Sequence, residues 1–356
     1  MSELKLQYKS DFSCAQHYWD AFWNRQIIDR PCTVIWAQKN NYDYPPAVIQ
    51  STQADFENTF KKHDLYLESH AFLGECMPGF RPGFGPDQMA GFFGAPIILG
   101  DEKTSTSWSE KIVDDWTKFL PLTIKANNNC FARMQEYHVA AAKHYCGRCL
   151  ILNIDLHSNI DTLEGLRGAE KLIFDMIDEP ELTMRALADV RKHYSFIYDM
   201  FYRLAGGPQW GTSDRCLGLY SREKYNIVSG DLISLLSPDM FRKFVLPAFE
   251  EEAGILDNSC FHLDGPGAIK HLEDILTIDA IDVVQWQPGS YNKPAFEWPE
   301  VIDKIQGTGK STVIAGTCEQ IKAVHGRFKP NLLVYNIMAQ TEDEGFELLD
   351  WLKKHT

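Results

Sequence analysis

The chain has no run approaching the ~18 consecutive apolar residues that a membrane-spanning helix needs, so a helical membrane protein is excluded. Its opening, MSELKLQYKSDFSCAQHYWD, has neither an apolar core nor a small-residue cleavage site, and a secretory signal is not expected. Positive charge is in deficit. Thirty-five Lys and Arg against 49 Asp and Glu give a formal net charge of -14, which argues against a nucleic-acid or anionic-membrane partner. No strand is followed by the GxGxxG of a dinucleotide site, and no GxxxxGK[ST] phosphate loop occurs. The 9 cysteines are odd in number and irregularly spaced, so they form no disulfide framework and suit free thiols in a reducing cytoplasm. Cys146-Gly147-Arg148-Cys149 is a CxxC without a second pair; it precedes a strand and reads as two ordinary thiols at a helix–strand junction.

What is present is ample apolar material, 44% hydrophobic and 12% aromatic, enough for a sizeable interior in 356 residues. The stretch around which the rest is organised is Ser259-Cys260-Phe261-His262-Leu263-Asp264-Gly265-Pro266-Gly267. It reads as a strand stopped by a Gly-Pro-Gly turn and followed by a helix. Alternation puts Cys260, His262 and Asp264 on one face, with Phe261 and Leu263 on the other.

Earlier in the chain, a helical pattern is predicted from Phe12 to Ile27, a strand over Cys32–Ala37, a polar helix from about Ala47 to His63, and a glycine- and proline-punctuated stretch from Gly74 to Gly100 with a short helix near Asp87–Phe93. A helix over Asn127–Tyr145, a strand over Cys149–Asp155, helices at 165–177 and 181–204, and a strand Tyr225–Asp231 follow. Ser237 and Pro238 mark the start of a helix running to about Leu256. From there a strand–helix unit repeats: strands Cys260–Asp264, Ile281–Trp286, Thr312–Ala315 and Leu332–Met338, each followed by a helix. Such alternation implies parallel pairing through right-handed crossovers. About eight strands in all favour an α/β fold of the (β/α)8 TIM-barrel type, one domain over 1–356 with residues 1–30 as an irregular N-terminal helical and loop extension; a doubly wound open sheet is the rival. In a barrel the active site lies at the C-terminal strand ends, where Asp231 and the His262–Asp264 pair fall.

Leu236-Ser237-Pro238-Asp239-Met240-Phe241-Arg242-Lys243-Phe244-Val245-Leu246-Pro247, the His262–Gly267 segment and Ile281-Asp282-Val283-Val284-Gln285-Trp286-Gln287-Pro288-Gly289 together resemble the uroporphyrinogen decarboxylase superfamily, which includes corrinoid-dependent methyltransferases. The likeness extends from about Ser229 to Gly316. On the methyltransferase side it implies zinc held by a His-x-Cys pair and a later Cys. Here His262-x-Asp264 stands at the first position, and Cys318 or Cys260 would have to supply a thiolate. On the decarboxylase side it implies arginines after the first strand. Trp36-Ala37-Gln38-Lys39-Asn40-Asn41-Tyr42-Asp43-Tyr44 has none, which argues against a porphyrinogen substrate.

The resemblance therefore implies an enzyme that moves a methyl group between a small methylated compound and a corrinoid protein or thiol. Decarboxylation of a small carboxylic acid and a non-catalytic corrinoid- or ligand-binding barrel are the alternatives. The expected machinery is His262, Asp264 and Asp231 as catalytic groups, and a zinc set drawn from His262, Asp264, Cys318 and Cys260. Trp36, Phe92, Phe93, His157, Gln285 and Trp286 are expected to line the substrate pocket, although aromatic residues at such positions are by default core. A partner corrinoid protein, a cytoplasmic location and a homodimer complete the expectation.

Overall fold

The computed structural model describes residues 4–39, 55–100, 106–157, 159–289 and 292–356. The loop expected between Gln38 and Pro46 lies outside these residues beyond Lys39, as does the start of the helix expected from Ala47.

The strands in chain order are β1 (Cys32–Gln38), β2 (His70–Gly74), β3 (Gly79–Phe80), the hairpin β4 (Ile97–Leu99) and β5 (Ser107–Ser109), β6 (Leu150–Ile151), the hairpin β7 (Thr212–Ser213) and β8 (Tyr220–Ser221), then β9 (Tyr225–Ser229), β10 (Asn258–Asp264), β11 (Val283–Gln287), β12 (Thr312–Ala315) and β13 (Leu333–Ala339). The last five alternate with helices as predicted, and they pair in parallel. β9, β10 and β11 form one ladder, and β12, β13 and β1 form another. A parallel bridge from Val283 to Ser311 and the Thr312 hydroxyl, which donates to the Val284 carbonyl at 2.8 Å, join the two.

The fold is mixed α/β, but no ladder among the described residues closes these strands into a ring. Two local causes account for this. The outer edge of β1 is taken by β2, which runs antiparallel to it, so the next parallel strand cannot pair there. β3 and β6 pair only with each other, over two residues. Single hydrogen bonds join the end of β6 to β7 and β9: Asn153 N–H donates to the Ser213 carbonyl at 2.8 Å and its side-chain amide to the Tyr225 carbonyl at 2.5 Å.

Register sorts the side chains. Partners in a parallel pair share a face, so Val34, Cys260, Val283, Val313 and Val334 fall on one side, and all are buried in a core that also takes in Phe12 and Trp19 of the N-terminal helix Phe12–Trp23. Ile35, Ile314, Tyr335 and Ile337 fall on the other and pack with Ile302, Ile321 and Leu348 of the covering helices. Fully burying one such side chain contributes roughly 1.5–3 kcal/mol, so this two-sided apolar pattern holds the strands between inner core and outer helices.

Helix boundaries follow local chemistry. Ser237 accepts from Met240 N–H at 3.3 Å, capping the helix where predicted, and Thr317 and Gln320 form a capping box. The helix after Ser237 widens to a π-turn over Phe241–Val245, just ahead of Pro247, which has no N–H for the Lys243 carbonyl. No helix among the described residues is long and apolar enough to cross a membrane.

Candidate functional site

The inner face changes character at the C-terminal strand ends. Below it is valine and cysteine. At the top are His262 and Asp264 on β10, Gln285 and Gln287 on β11, Ala315 on β12, and Asn336 and Met338 on β13. Gln287, Ala315 and Met338 are exposed, so this end opens to solvent. The β9–β10 register aligns Ser229 with His262, which carries Asp231, two residues on, alongside Asp264.

Asp231, His262 and Asp264 therefore converge, each offering a ligand atom within 4.8 Å of the others. His262 Nδ1 is bonded to the Gln285 side-chain oxygen. Neither the Asp231 nor the Asp264 carboxylate has a hydrogen-bond donor among the described residues. Asp264 is not spent as a helix cap: Gly265, at φ 75°, holds the cap position, and no side chain caps that turn. Although Asp231 is exposed as a residue, the protein packed around its carboxyl raises its pKa; Asp161 and Asp264 add to this, and His157 and His262 oppose it.

A second charged chain lies behind Asp231. Arg81 donates to Asp155 at 2.9 Å, Asp155 meets His157 Nε2 at 3.3 Å, and His157 Nδ1 meets Asp161 at 3.3 Å. The Asp161 carboxylate in turn accepts the backbone N–H groups of Asp231 at 2.9 Å and Leu232 at 3.2 Å, fixing the turn that presents Asp231. Burial disfavours a charged His157, but Asp155, Asp161 and Asp231 overcome it and push its pKa up to about 10. Both ring nitrogens of His157 thus face carboxylates, and with Asp161 and Asp231 it forms a second group of ligand-type side chains that shares Asp231 with the first.

The cysteines expected as ligands are not brought to the trio. Cys260 is buried two residues below His262, and burial holds its thiol well above the ordinary range. Cys318 opens a helix of the outer layer, where burial and then the Glu344 carboxylate push its pKa up to about 12. Of the expected zinc set, His262 and Asp264 stand together, and the group beside them is Asp231 rather than Cys260 or Cys318.

The expected pocket residues divide as well. Trp36 is half-buried on the inner face opposite Met338, with the Gly218 backbone pressed against its ring. Phe92 and Phe93 are buried away from this face, against Phe131 and Phe201 and against His193 respectively. Trp286 lies on the outer face of β11 and packs edge-on against Trp298 at 5.5 Å, because alternation gives the inward position to Gln285. Gln285 is 7% exposed and is committed to His262. Asp155, Asp161 and Arg81 were missed. The spacing of Asp155, His157 and Asp161 at a strand–helix junction was the signal that could have found them.

No family model and no curated protein matches the chain. Among solved structures, a methyltransferase from Methanosarcina mazei is similar, with a TM-score of 0.62 over 96% of this chain and 98% of that one, at 14% sequence identity. This chain shares that methyltransferase's fold. Likeness at this identity speaks for architecture and leaves the chemistry to the site itself.

Proposed function

We propose that the chain is a methyltransferase of the uroporphyrinogen decarboxylase-like superfamily, moving a methyl group between a small methylated compound and a corrinoid protein or thiol. The observation that carries this is the trio Asp231, His262 and Asp264 at the open strand ends, in a fold shared end to end with a methyltransferase. On this reading the parallel strands belong to one (β/α)8 barrel over 1–356, with residues 1–30 as its extension, working in the cytoplasm.

The trio fits a divalent ion. Two carboxylates without donors among the described residues, a few ångströms apart beside an imidazole, repel each other unless a cation or proton lies between them. Asp231, Asp264 and His262 would hold the ion, and bound zinc would supply Lewis acidity toward the methyl donor or acceptor. The remaining residues position: Asp161 fixes the Asp231 turn, and Trp36 offers an aromatic wall for a methylated group. Decarboxylation of a small carboxylic acid is the second reading. It is favoured by the raised pKa of Asp231, which suits a proton donor.

The test is methyl transfer to free cob(I)alamin from a panel of methylated amines, thiols and methoxy-aromatics, with zinc-loaded protein and absorbance at the cobalt. Methylcobalamin formation that falls about a hundredfold or more in His262→Ala and Asp264→Ala is expected. The proposal fails if no donor in the panel is turned over, in either direction, by protein carrying stoichiometric zinc.

A further inference from the structure

We infer that Gln285 is a positioning residue: its side-chain oxygen selects the His262 tautomer with hydrogen on Nδ1, leaving the Nε2 lone pair for the space shared with Asp231 and Asp264. This deepens the reading above and rests on it only for what the lone pair meets, a metal ion or a proton.

The placement comes from register. β10 and β11 pair in parallel with His262 opposite Gln285, so both side chains stand on the inner face as direct neighbours. A residue earlier or later on β11 would face outward, as Trp286 does with Leu263. Two residues further along the inner face, Gln287 is aligned with Asp264 and is exposed. Gln285 is buried on that face above Val283 and Cys260, where an unbonded amide would be costly. Its oxygen meets His262 Nδ1. A carboxamide oxygen only accepts, so Nδ1 must carry the hydrogen, and a neutral imidazole then has its one lone pair on Nε2. Outer partners of this kind set ring orientation and tautomer for metal-binding histidines.

The converse arrangement would disable the site. With the amide reversed, its NH2 would face Nδ1, the hydrogen would move to Nε2, and that N–H would be satisfied by the two carboxylates. No nitrogen donor would remain. Gln285 is thus the group that decides whether His262 is a donor or a mere hydrogen-bonding bridge.

Two measurements test this. Nitrogen-15 spectra of the histidine rings in metal-free protein, recorded above the pH at which the His262 ring has lost its second proton and assigned with His262→Ala, are expected to show His262 protonated at Nδ1 and bare at Nε2. In Gln285→Met, which keeps the volume but loses the acceptor, the tautomers should mix. Zinc affinity by chelator competition should fall 10- to 100-fold in that variant, while Gln285→Glu, which keeps an acceptor oxygen, stays within about threefold, the ordinary context scatter of a retained contact. A wild-type spectrum with hydrogen on Nε2 overturns the inference, as does an unchanged spectrum and affinity in Gln285→Met. If His262→Ala leaves zinc binding intact while the wild-type spectrum shows Nδ1–H, the metal reading fails and the tautomer inference stands.

Discussion

A histidine between two aspartates is a different object from a histidine in water. His157 has Asp155 on one nitrogen and Asp161 on the other, each at 3.3 Å, with Asp231 nearby, and its pKa is pushed up to about 10. Because the folded value lies above the unfolded value of about 6.5, the folded state holds this proton more tightly. The resulting stability is fully present below about pH 6.5 and is lost as the pH rises toward about 10. His157→Gln should therefore be destabilising by on the order of 3 kcal/mol at pH 6, with the difference from wild type shrinking steadily by pH 10. Urea unfolding at pH 6, 8 and 10 measures it, and a difference that does not change with pH would show that His157 is not held as an imidazolium. The same variant leaves Asp161 free to swing away from the backbone of Asp231 and Leu232, so site geometry and stability should decline together.

At the level of elements, the seam between β1 and β2 depends on one buried ion pair. Arg30, just before β1, donates to both oxygens of Glu75, just after β2, at 2.6 and 2.9 Å. Glu75 also accepts Thr33 N–H at 2.8 Å, its carbonyl takes the Trp19 indole N–H at 2.9 Å, and the Tyr18 ring covers the guanidinium at 4.5 Å. One residue thus ties the N-terminal helix, the first strand and the reversed strand together, its carboxylate holding Arg30 and the first strand and its backbone carbonyl the N-terminal helix. Removing the carboxylate alone, in Glu75→Leu, strands a buried guanidinium and should cost about 3–5 kcal/mol, whereas Arg30→Met with Glu75→Leu should recover a large part of that loss. If the double variant is as unstable as the single, the pair is not coupled as drawn. Nothing local in the sequence announces this contact, because its members lie 45 residues apart. β2 escaped notice for a related reason. His70 follows Ser69 without a break, so the helix Phe56–Ser69 runs straight into a strand with no Gly or Pro to mark the change. By contrast, the elements after Ser237 were legible because caps, prolines and glycines punctuate them and their strands are apolar runs flanked by turns.

Across the whole molecule, what could be read of the site was what strand alternation and strand ends dictate: His262 and Asp264 on one face, and Asp231 at the tip of a neighbouring strand. What could not be read was pairing. The β9–β10 register that brings Asp231 to Asp264, the β10–β11 register that gives His262 its amide partner, and the seat of Cys318 in the outer layer are tertiary facts, set by how one element lies against the next. They put Asp231, rather than Cys260 or Cys318, beside His262 and Asp264, and whether an ion binds that trio is measurable in the stability of the entire fold. The three donors come from two adjacent strands and converge only when those strands are paired, so an ion bound by all three binds the folded chain and not the unfolded one. Free zinc at a hundred times its Kd should then stabilise the protein by about 2.7 kcal/mol, a rise in Tm on the order of 5 °C or less for a chain of this size, reversed by a chelator. Asp231→Asn and Asp264→Asn should each abolish most of the rise, while Cys260→Ser and Cys318→Ser keep it. The opposite pattern, a shift lost with either cysteine and kept without the aspartates, would mean that the metal sits on thiolates elsewhere and that the open strand ends hold none.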